Sequence, residues 1–254
     1  MEQTKILIVG ANGKMGHAVA AAAGGREDCV ICAGIDLNTK AYGDFPIYDS
    51  FTALQERPDV VIDFSNPALL DSLLDYCLTG GIPCVLATTG YNEEQISKIR
   101  KAAASIPVFF SFNMSLGINL LVQLARKATA VLGGQFDIEI VEKHHNQKLD
   151  APSGTALMIA DAINDSLGNA YHYVYDRHSK RAKREKTEIG LHAIRGGTIV
   201  GEHDIIFAGH DEVITLSHSA ASKEVFAVGA VNAGVFLAAQ QPGLYDMSAL
   251  MQSV

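Results

Sequence analysis

The first hundred residues alternate short, almost wholly apolar runs with segments of helical pattern. The apolar runs are residues 5–10, 30–36, 60–64 and 84–87. A strand in a parallel sheet is covered on both faces, so its sequence is apolar throughout instead of alternating with polar residues. Strands of this kind, separated by helices, indicate βαβ units. The pattern therefore predicts an α/β domain with a doubly wound parallel sheet.

Two helices of this half have recognisable end signals. In one, Asn66 can cap the first turn and Pro67 suits the first helical position. The glycines at 80–81 are expected to end that helix. The next helix begins at Asn92, and Gln95 three residues later makes a variant of the capping box. These signals place helices between the later strands.

The pattern changes after residue 112. A helical stretch and three strand-like runs follow, at 118–132, 136–142, 199–207 and 213–218. This order predicts an α+β domain in which a helix covers a mainly antiparallel or mixed sheet. The apolar segment from Val225 has helical composition and is expected to pack against the first domain. We place the first domain at 1–114, completed by 224–254, and the second at 115–223.

Composition excludes several classes of protein. The chain has 254 residues, of which 48% are hydrophobic and 19% charged, a balance typical of a folded protein and not of a disordered one. Its 28 acidic and 20 basic residues give a net charge of -8, so nucleic acid and anionic membranes are not expected as partners. The longest apolar stretch, 225–239, contains Asn232 and is shorter than the roughly 18 residues that suggest a membrane span.

The cysteines and the N-terminus indicate a cytoplasmic protein. No secretory signal pattern begins the sequence. Cysteine occurs only at positions 29, 32, 77 and 84, too few for a disulfide scaffold at this length, so we expect buried thiols in a reducing compartment. Cys29 and Cys32 have the spacing of half a zinc site, but no second pair of ligands follows at a familiar distance. No metal is expected.

A glycine motif lies directly after the first apolar run and opens a helix. It reads Gly10-Ala11-Asn12-Gly13-Lys14-Met15-Gly16. Glycines in this position let a pyrophosphate approach the amides at a helix N-terminus. Asn12 stands where the usual fingerprint has its second glycine. Taken alone, the motif could also be a turn that binds nothing.

Asp36 strengthens the case for a Rossmann-type dinucleotide site. It ends the second apolar run, where a carboxylate can accept hydrogen bonds from an adenosine ribose. Lys40 is close enough in sequence to meet a 2′-phosphate. We therefore expect NADH or NADPH as cofactor, with a mild preference for NADH.

Two further segments follow the last strands of this half. They are Ala87-Thr88-Thr89-Gly90 and Ser111-Phe112-Asn113-Met114. Ligands of open α/β sheets bind at the carboxyl ends of the strands, and these small and polar residues suit the nicotinamide half of a dinucleotide. From composition alone, each segment could equally be an ordinary turn.

The segment richest in chemistry spans residues 142–156. It reads Glu142-Lys-His144-His145-Asn-Gln-Lys148-Leu-Asp-Ala-Pro-Ser153-Gly154-Thr155-Ala156. Two histidines and a lysine within five positions bring together groups that can donate protons. The serine, glycine and threonine open a helix whose first amides can hold an anion. The sequence supports a zinc site at the two histidines less well than a proton donor, because adjacent side chains on a strand point to opposite faces. The segment predicts a proton donor beside a carboxylate-binding site.

With these motifs the sequence resembles the 4-hydroxy-tetrahydrodipicolinate reductase family, also called dihydrodipicolinate reductase, along nearly its whole length. The segments that carry the resemblance are 10–16, 87–90, 113–117, 142–156 and 195–203. It implies NAD(P)H-dependent reduction of a cyclic dicarboxylate imine in lysine and diaminopimelate biosynthesis. It also implies that the second domain binds substrate and, through its sheet, assembles a homotetramer.

The resemblance also implies roles for individual residues. His144 would be the proton donor and acceptor, and Lys148 a second proton donor. The substrate-binding residues would be His145, Ser153, Gly154 and Thr155. The cofactor-binding residues would be Gly10, Ala11, Asn12, Gly13, Lys14, Met15, Asp36, Ala87, Thr88, Thr89, Ser111, Phe112, Asn113 and Met114. Some relatives have an arginine directly after the residue that corresponds to Asp36. This sequence has none, which leaves the preference for NADH or NADPH open.

Two further segments of the second half are rich in basic residues or interrupted by glycines. Residues 171–187 are polar and basic without a period, which predicts a long loop. Six of the chain's 20 basic residues lie there, Arg177, Lys180, Arg181, Lys183, Arg184 and Lys186. They form either a solvated face or a positive rim that attracts anionic ligands. Residues 195–203 are interrupted by glycines and predict a structural hairpin.

Two other functions remain open from the sequence. The chain could be another two-domain nicotinamide-dependent dehydrogenase, but the run from His144 to Thr155 would then be coincidental. It could also be a non-catalytic dinucleotide sensor, which would need neither His144 nor Lys148. Cofactor binding without turnover would favour the sensor.

Overall fold

The computed structural model describes residues 3–253, and the contacts among them define two compact units. Unit 1 runs to Leu116 and resumes at Glu224, whereas unit 2 is Gly117–Lys223. Unit 1 holds a parallel sheet and unit 2 a mixed one. The predicted fold class, a doubly wound parallel-sheet domain with an α+β domain, is confirmed.

Twelve strands and seven α-helices occur within residues 3–253. The strands are β1 (Thr4–Val9), β2 (Cys29–Ile35), β3 (Ile47–Tyr48), β4 (Val60–Asp63), β5 (Cys84–Leu86), β6 (Pro107–Phe110), β7 (Asp137–His144), β8 (His172–Val174), β9 (Glu188–Arg195), β10 (Gly201–Ala208), β11 (Val213–Ala220) and β12 (Gly243–Tyr245). The helices are α1 (Lys14–Ala23), α2 (Leu70–Gly80), α3 (Glu93–Ala102), α4 (Leu116–Leu132), α5 (Gly154–Ser166), α6 (Glu224–Leu237) and α7 (Met247–Gln252).

The sheet of unit 1 has the order β12-β6-β5-β4-β1-β2-β3, and all its strands are parallel. Both faces are covered, as the apolar runs predict. In β1, Ile6 and Ile8 pack in one core with α1, α6 and α7, whereas Leu7 and Val9 pack in another with α2 and α3. The chain changes direction across the sheet between β1 and β4. Their carboxyl ends therefore form the switch point where such sheets bind ligands.

The predicted helix signals are confirmed. The Asn66 side chain accepts a hydrogen bond from the amide of Ala68 at 2.9 Å, and a short 3-10 turn leads into α2. Gly81 ends α2 in the left-handed conformation, with a φ of 65°. At α3, Asn92 and Gln95 form both bonds of the capping box, at 2.9 and 3.1 Å. These caps satisfy amides and carbonyls that a helix end leaves without partners.

The C-terminal apolar segment forms α6, which packs in unit 1 against α1 and the central strands, as expected. Gly229 lies where α6 comes closest to the chain after β6. A Cβ atom built on it would be only 1.7 Å from the carbonyl oxygen of Met114. The absence of a side chain at this position lets the helix lie directly on that backbone.

Unit 2 has a five-stranded sheet in the order β11-β10-β7-β9-β8. β10 is antiparallel to β7 and β11, and β9 is parallel to β7 and β8. Helices α4 and α5 cover one face of this sheet. Along β7, Ile138 and Ile140 belong to the core under these helices, and Glu142 and His144 follow on the same face.

Two predictions about unit 2 are wrong. The segment 171–187 contains the short strand β8, and β9 was not predicted as a strand. In β9 the first four residues are buried and the others mostly are not, so it shows no single period. The predicted hairpin at 195–203 is not one, because β7 lies between β9 and β10. The connection crosses the end of β7, so Arg195 pairs with His144 on one side and β10 runs along the other.

None of the helices within residues 3–253 is both long and apolar enough to cross a membrane.

The four cysteines have free thiols, and all except Cys32 are buried. Cys32 is half-buried and donates to the carbonyl oxygen of Ile6 at 3.4 Å. Burial raises the pKa of its thiol to about 11.

Replacing Gly229 with alanine should destabilise the protein. Alanine favours the helix by about 1 kcal/mol over glycine, but its Cβ would collide with the Met114 carbonyl. We expect a net loss of about 1–3 kcal/mol in the free energy of unfolding, the usual cost of overpacking. Urea unfolding would measure it. Gly234→Ala in the same helix is the control, because its Cβ would be 3.1 Å from the movable end of Ile62. Equal stability of both variants would contradict the prediction.

Candidate active site

The glycine motif forms the connection between β1 and α1. Gly10 has a φ of 82°, in the region that favours glycine. A Cβ on Gly16 would lie 2.3 Å from the Gly10 carbonyl oxygen, so the helix can pack against this turn only with glycine there. Gly13 caps α1 without a side-chain hydrogen bond. The first amides of α1 are therefore available to an anion.

Asn12 joins the glycine turn to the segment after β2. Its amide donates to Oδ2 of Asp36 at 2.9 Å, and its side chain donates to the carbonyl oxygens of Asn38 and, at 3.1 Å, Lys40. Oδ1 of Asp36 accepts from the amide of Asn38 at 3.0 Å. A glycine at position 12 could not make the side-chain bonds, which explains the departure from the usual fingerprint. An ionised carboxylate has about four acceptor positions, so Asp36 can accept further bonds from a ribose.

The predicted nicotinamide segments follow β5 and β6, which are neighbours in the sheet. Thr88 is buried and Thr89 exposed. The Ser111 hydroxyl donates to the carbonyl oxygen of Asn113 at 3.0 Å, and Phe112 is exposed. Unit 1 thus places all the predicted cofactor residues at the carboxyl ends of its strands, at positions 10–15, 36, 87–89 and 111–114.

Asp63, which the sequence did not single out, organises this edge of the sheet. It ends β4 and is 1% exposed. Its carboxyl group accepts from the Ser65 amide and hydroxyl and, at 3.0 Å, from the hydroxyl of Tyr91. The Ser65 amide also donates to the Thr88 hydroxyl oxygen at 2.8 Å. Burial raises the pKa of Asp63, although these bonds oppose the effect. Asp63 fixes the loops after β4 and β5 relative to each other.

In unit 2, His144 ends β7 and is 9% exposed. Its Nδ1 lies 2.5 Å from Oε2 of Glu142. An ionised carboxylate can only accept, so Nδ1 carries the hydrogen and Nε2 is the atom that can exchange a proton. Gly201 on β10 leaves space here, because a Cβ there would lie 3.2 Å from Nε2.

Glu142 is fully buried and has a partner for each oxygen. Arg195 donates to Oε2 and Oε1 at 2.8 and 2.7 Å, and the Ser153 amide donates to Oε1 at 3.0 Å. Burial raises the pKa of Glu142, but the bonds from its three donors outweigh burial and hold the pKa below its usual value. The carboxylate is therefore ionised at neutral pH.

Lys148 lies in the turn between β7 and α5. Its amide donates to the carbonyl oxygen of half-buried His145 at 3.2 Å, and its Nζ pairs with Oδ1 of Asp150 at 2.7 Å. This Lys148 contact lowers the pKa of Asp150, and the Gly154 amide adds to the effect. Arg195 donates to the Asp150 carbonyl oxygen at 2.6 Å. The turn is thus bound to the same arginine as Glu142.

Helix α5 begins at Gly154, as the serine, glycine and threonine predict. The Ser153 side chain is buried and accepts from the Ala156 amide at 3.1 Å, so it caps the helix. Its hydroxyl also lies 3.1 Å from Nε2 of His203. Gly154 is exposed, and a Cβ there would have no atom within 4 Å. The start of α5 therefore has room for a ligand.

His203 is a second buried histidine beside His144. Their rings meet edge to face, with centroids 5.3 Å apart. Burial, with a smaller effect from His144, lowers the pKa of His203 to about 4. His203 is therefore neutral at neutral pH and adds no charge to the site.

The basic loop is partly structural. Arg184 donates to Glu139 at 2.9 Å, and Arg177 pairs with Glu188 at 2.7 Å. Lys180, Arg181, Lys183 and Lys186 are exposed, and their role as a positive rim stays a prediction. Within residues 3–253, one group of possible metal ligands lies within 4.8 Å, His172, Glu185 and Glu188. In this group, the Glu188 carboxylate already forms an ion pair with Arg177.

Sequence reasoning gave no role to three residues around His144. Glu142 could have been found from the strand period, since it lies two residues before His144 and on the same face. Arg195 and His203 reach the site from β9 and β10, which lie beside β7 only in the folded sheet. No sequence signal gives that register.

Comparisons with known proteins agree along nearly the whole chain. A family model described as "Dihydrodipicolinate reductase, N-terminus" matches residues 4–114, and one described as "Dihydrodipicolinate reductase, C-terminus" matches residues 117–251. A 4-hydroxy-tetrahydrodipicolinate reductase of Caldanaerobacter subterraneus subsp. tengcongensis is 53% identical over 248 residues, 98% of each chain. Another, of Clostridium tetani, is 46% identical and covers 98% of this chain and 97% of the relative.

Solved structures support the same assignment. A dipicolinate-bound dihydrodipicolinate reductase from Paenisporosarcina sp. TG-14 is 26% identical, with a TM-score of 0.80 over 96% of this chain and 98% of that one. A probable dehydrogenase from Thermotoga maritima, 11% identical with a TM-score of 0.64 over 98% of this chain and 93% of its own, shares the fold. The resemblance predicted from the motifs is confirmed, and the chain belongs to the dihydrodipicolinate reductase family, whose members are named 4-hydroxy-tetrahydrodipicolinate reductases.

Proposed function

We propose that this protein is a 4-hydroxy-tetrahydrodipicolinate reductase, which uses NAD(P)H to reduce a cyclic dicarboxylate imine to tetrahydrodipicolinate in lysine and diaminopimelate biosynthesis. The observation that carries the proposal is the arrangement in unit 2. There, His144 is oriented by the buried Glu142 carboxylate, and Lys148 and the start of α5 follow within the next segment. A non-catalytic dinucleotide sensor would need neither proton donor.

The residues of unit 1 fit a dinucleotide. The glycine turn leaves the first amides of α1 without a side-chain cap, and Asp36 retains acceptor capacity toward a ribose. The segments after β5 and β6 would hold the nicotinamide end. The bound dihydronicotinamide supplies a hydride, and the protein supplies orientation and charge.

In this proposal, the protein supplies one proton and binds the two carboxylates. Hydride addition to a conjugated imine leaves electron density on the ring, which an acid must protonate. His144 gives that proton from Nε2, and Lys148 is the second group from which the same proton can come. His145, Gly154 and Thr155 bind the carboxylates with the help of the partial positive charge at the start of α5. Ser153 contributes by capping that helix.

Three finer features of the proposal have separate support. A mild NADH preference is supported by Asp36, whose carboxylate repels a 2′-phosphate. A cytoplasmic location is supported by the four free thiols. A homotetramer built through the sheet of unit 2 is supported by apolar side chains on the face that α4 and α5 do not cover. Two of them, Ile194 and Val213, are 47% and 63% exposed.

Replacing His144 with glutamine should abolish most of the activity. We expect kcat to fall roughly 100- to 10,000-fold, the usual contribution of one general acid, with an unchanged circular dichroism spectrum. The assay follows NADH or NADPH absorbance with the condensation product of pyruvate and aspartate semialdehyde. His210→Gln is the control, because this histidine is exposed in the turn between β10 and β11. Turnover of His144→Gln within about twofold of wild type, a change far smaller than that expected loss, would remove His144 from the mechanism.

Replacing Lys148 with alanine should reduce both kcat and substrate affinity. A lysine near a dicarboxylate can donate a proton and also attract the charge. Lys143→Ala is a matched control, since Lys143 lies on the other face of β7 and pairs with Glu202 and Asp204. Titration of dipicolinate by calorimetry would separate affinity from turnover. If Lys148→Ala binds dipicolinate as tightly as wild type does, Lys148 has no role in substrate binding and acts only in proton transfer.

Replacing Asp36 with asparagine should shift the cofactor preference toward NADPH. Removing the charge weakens the bonds to the ribose of NADH and removes the repulsion of a 2′-phosphate. A charged hydrogen bond contributes about 1.5–3 kcal/mol, so the ratio of kcat/KM for NADH to that for NADPH should fall roughly 10- to 100-fold. Lys40→Ala should move the ratio in the opposite direction. If the ratio is the same in wild type and Asp36→Asn, Asp36 does not set the preference.

A further inference from the structure

A buried ion pair lies directly behind His144, outside the proton donors and substrate-binding residues proposed above. Glu142 is fully buried, and the Arg195 guanidinium donates to both of its oxygens at 2.7–2.8 Å. A carboxylate removed from water is costly to keep ionised unless a cation and further donors compensate it. The bidentate contact with Arg195 supplies the cation that keeps Glu142 ionised.

The ionised state of Glu142 determines which nitrogen of His144 carries the hydrogen. A carboxylate can only accept, so the hydrogen stays on Nδ1, 2.5 Å from Oε2. The ring of His203 meets that of His144 edge to face, and His203 is neutral at neutral pH. Nε2 is thereby kept as the nitrogen that exchanges protons.

The same pair connects the other parts of the site. Oε1 of Glu142 accepts from the Ser153 amide at 3.0 Å, which fixes the start of α5. Arg195 also donates to the carbonyl oxygen of Asp150 at 2.6 Å, and Asp150 pairs with Lys148. Two side chains thus fix the position of His144, the Lys148 turn and the helix start.

We infer that Glu142 and Arg195 are positioning residues: Glu142, held ionised by Arg195, keeps His144 in the form with hydrogen on Nδ1, and Arg195 holds the turn that carries Lys148. The catalytic part of this inference rests on the proposed function, because the role of His144 is itself proposed. The orientation of the imidazole hydrogen does not depend on that role and can be measured separately.

The direct test is Glu142→Gln. Glutamine keeps an oxygen for Arg195 and the Ser153 amide, but it presents an NH₂ group to His144, which would then accept at Nδ1 and carry its hydrogen on Nε2. The corresponding exchange in a serine protease triad creates the wrong tautomer and is strongly inactivating. We expect kcat to fall roughly 10- to 1,000-fold, with KM for the substrate close to wild type.

The split between kcat and KM provides a readout that a general loss of structure would not give. Glu142→Gln changes which nitrogen of His144 carries the hydrogen but keeps an oxygen for Arg195 and the Ser153 amide, so it should lower kcat and leave KM close to wild type. Arg195→Lys retains the positive charge but loses the bidentate geometry of the guanidinium, so it should lower kcat less than Glu142→Gln does. It should also raise KM, because the turn that carries Lys148 is held less firmly.

Nitrogen NMR of ¹⁵N-histidine-labelled protein tests the inference without turnover. His144→Gln assigns the signals, and we expect neutral His144 to carry its hydrogen on Nδ1 in wild type and on Nε2 in Glu142→Gln. If wild type does not reduce the substrate, the proposed function fails, and the NMR result still decides whether Glu142 sets the tautomer. The same tautomer in both proteins would overturn the inference.

Glu139→Gln is a matched control. Glu139 lies on the same strand but on the opposite face, and it too pairs with an arginine, Arg184 at 2.9 Å, and a histidine, His192 at 2.7 Å. Its replacement should lower the melting temperature without changing kcat or the His144 signals. Equal changes in Glu139→Gln and Glu142→Gln would show a general effect of weakening the sheet and would overturn the positioning role.

Discussion

A negative charge without access to water governs the arrangement of unit 2. Glu142 remains ionised only because Arg195, the Ser153 amide and the His144 ring surround it with donors. The Ser153 amide and the His144 ring belong to segments that carry part of the proposed chemistry, and Arg195 also holds the turn that carries Lys148. Stabilising the charge and assembling the site therefore depend on the same hydrogen bonds, and the geometry of the site follows from the need to compensate a buried carboxylate.

Asp63 in unit 1 shows what happens when the donors are neutral. It is also almost fully buried, but its partners are hydroxyl groups and an amide. Burial then dominates and the pKa of Asp63 is raised, whereas the pKa of Glu142 is lowered. Among the contacts of Glu142, the hydrogen bonds from the Arg195 guanidinium lower its pKa most. Asp63 suits a structural role in joining loops, and Glu142 suits the orientation of a neighbouring ring.

Local signals predicted the parts of the fold that local physics determines. The apolar runs gave the parallel strands, because burial on both faces leaves no room for polar residues, and the caps at Asn66 and Asn92 gave helix starts. The residues expected to bind the cofactor lie where strands end, a rule of topology. By contrast, β9 was missed because its burial changes along its length. The glycines at 195–203 predict a hairpin that does not form, since only the order of strands shows that β7 separates β9 from β10.

The position of α6 has a consequence for the order of folding during synthesis. The core that α6 completes includes Ile6 and Ile8 from the first strand, yet all of unit 2 is synthesised between them and the helix. Until the ribosome has made α6, the face of the parallel sheet that carries Ile6 and Ile8 has only part of its cover, from α1. Exposed apolar surface in such an intermediate favours chaperone binding and aggregation. Unit 2 is a continuous segment that needs no later residues for its core, so the chain can complete its inserted unit before the unit that begins it.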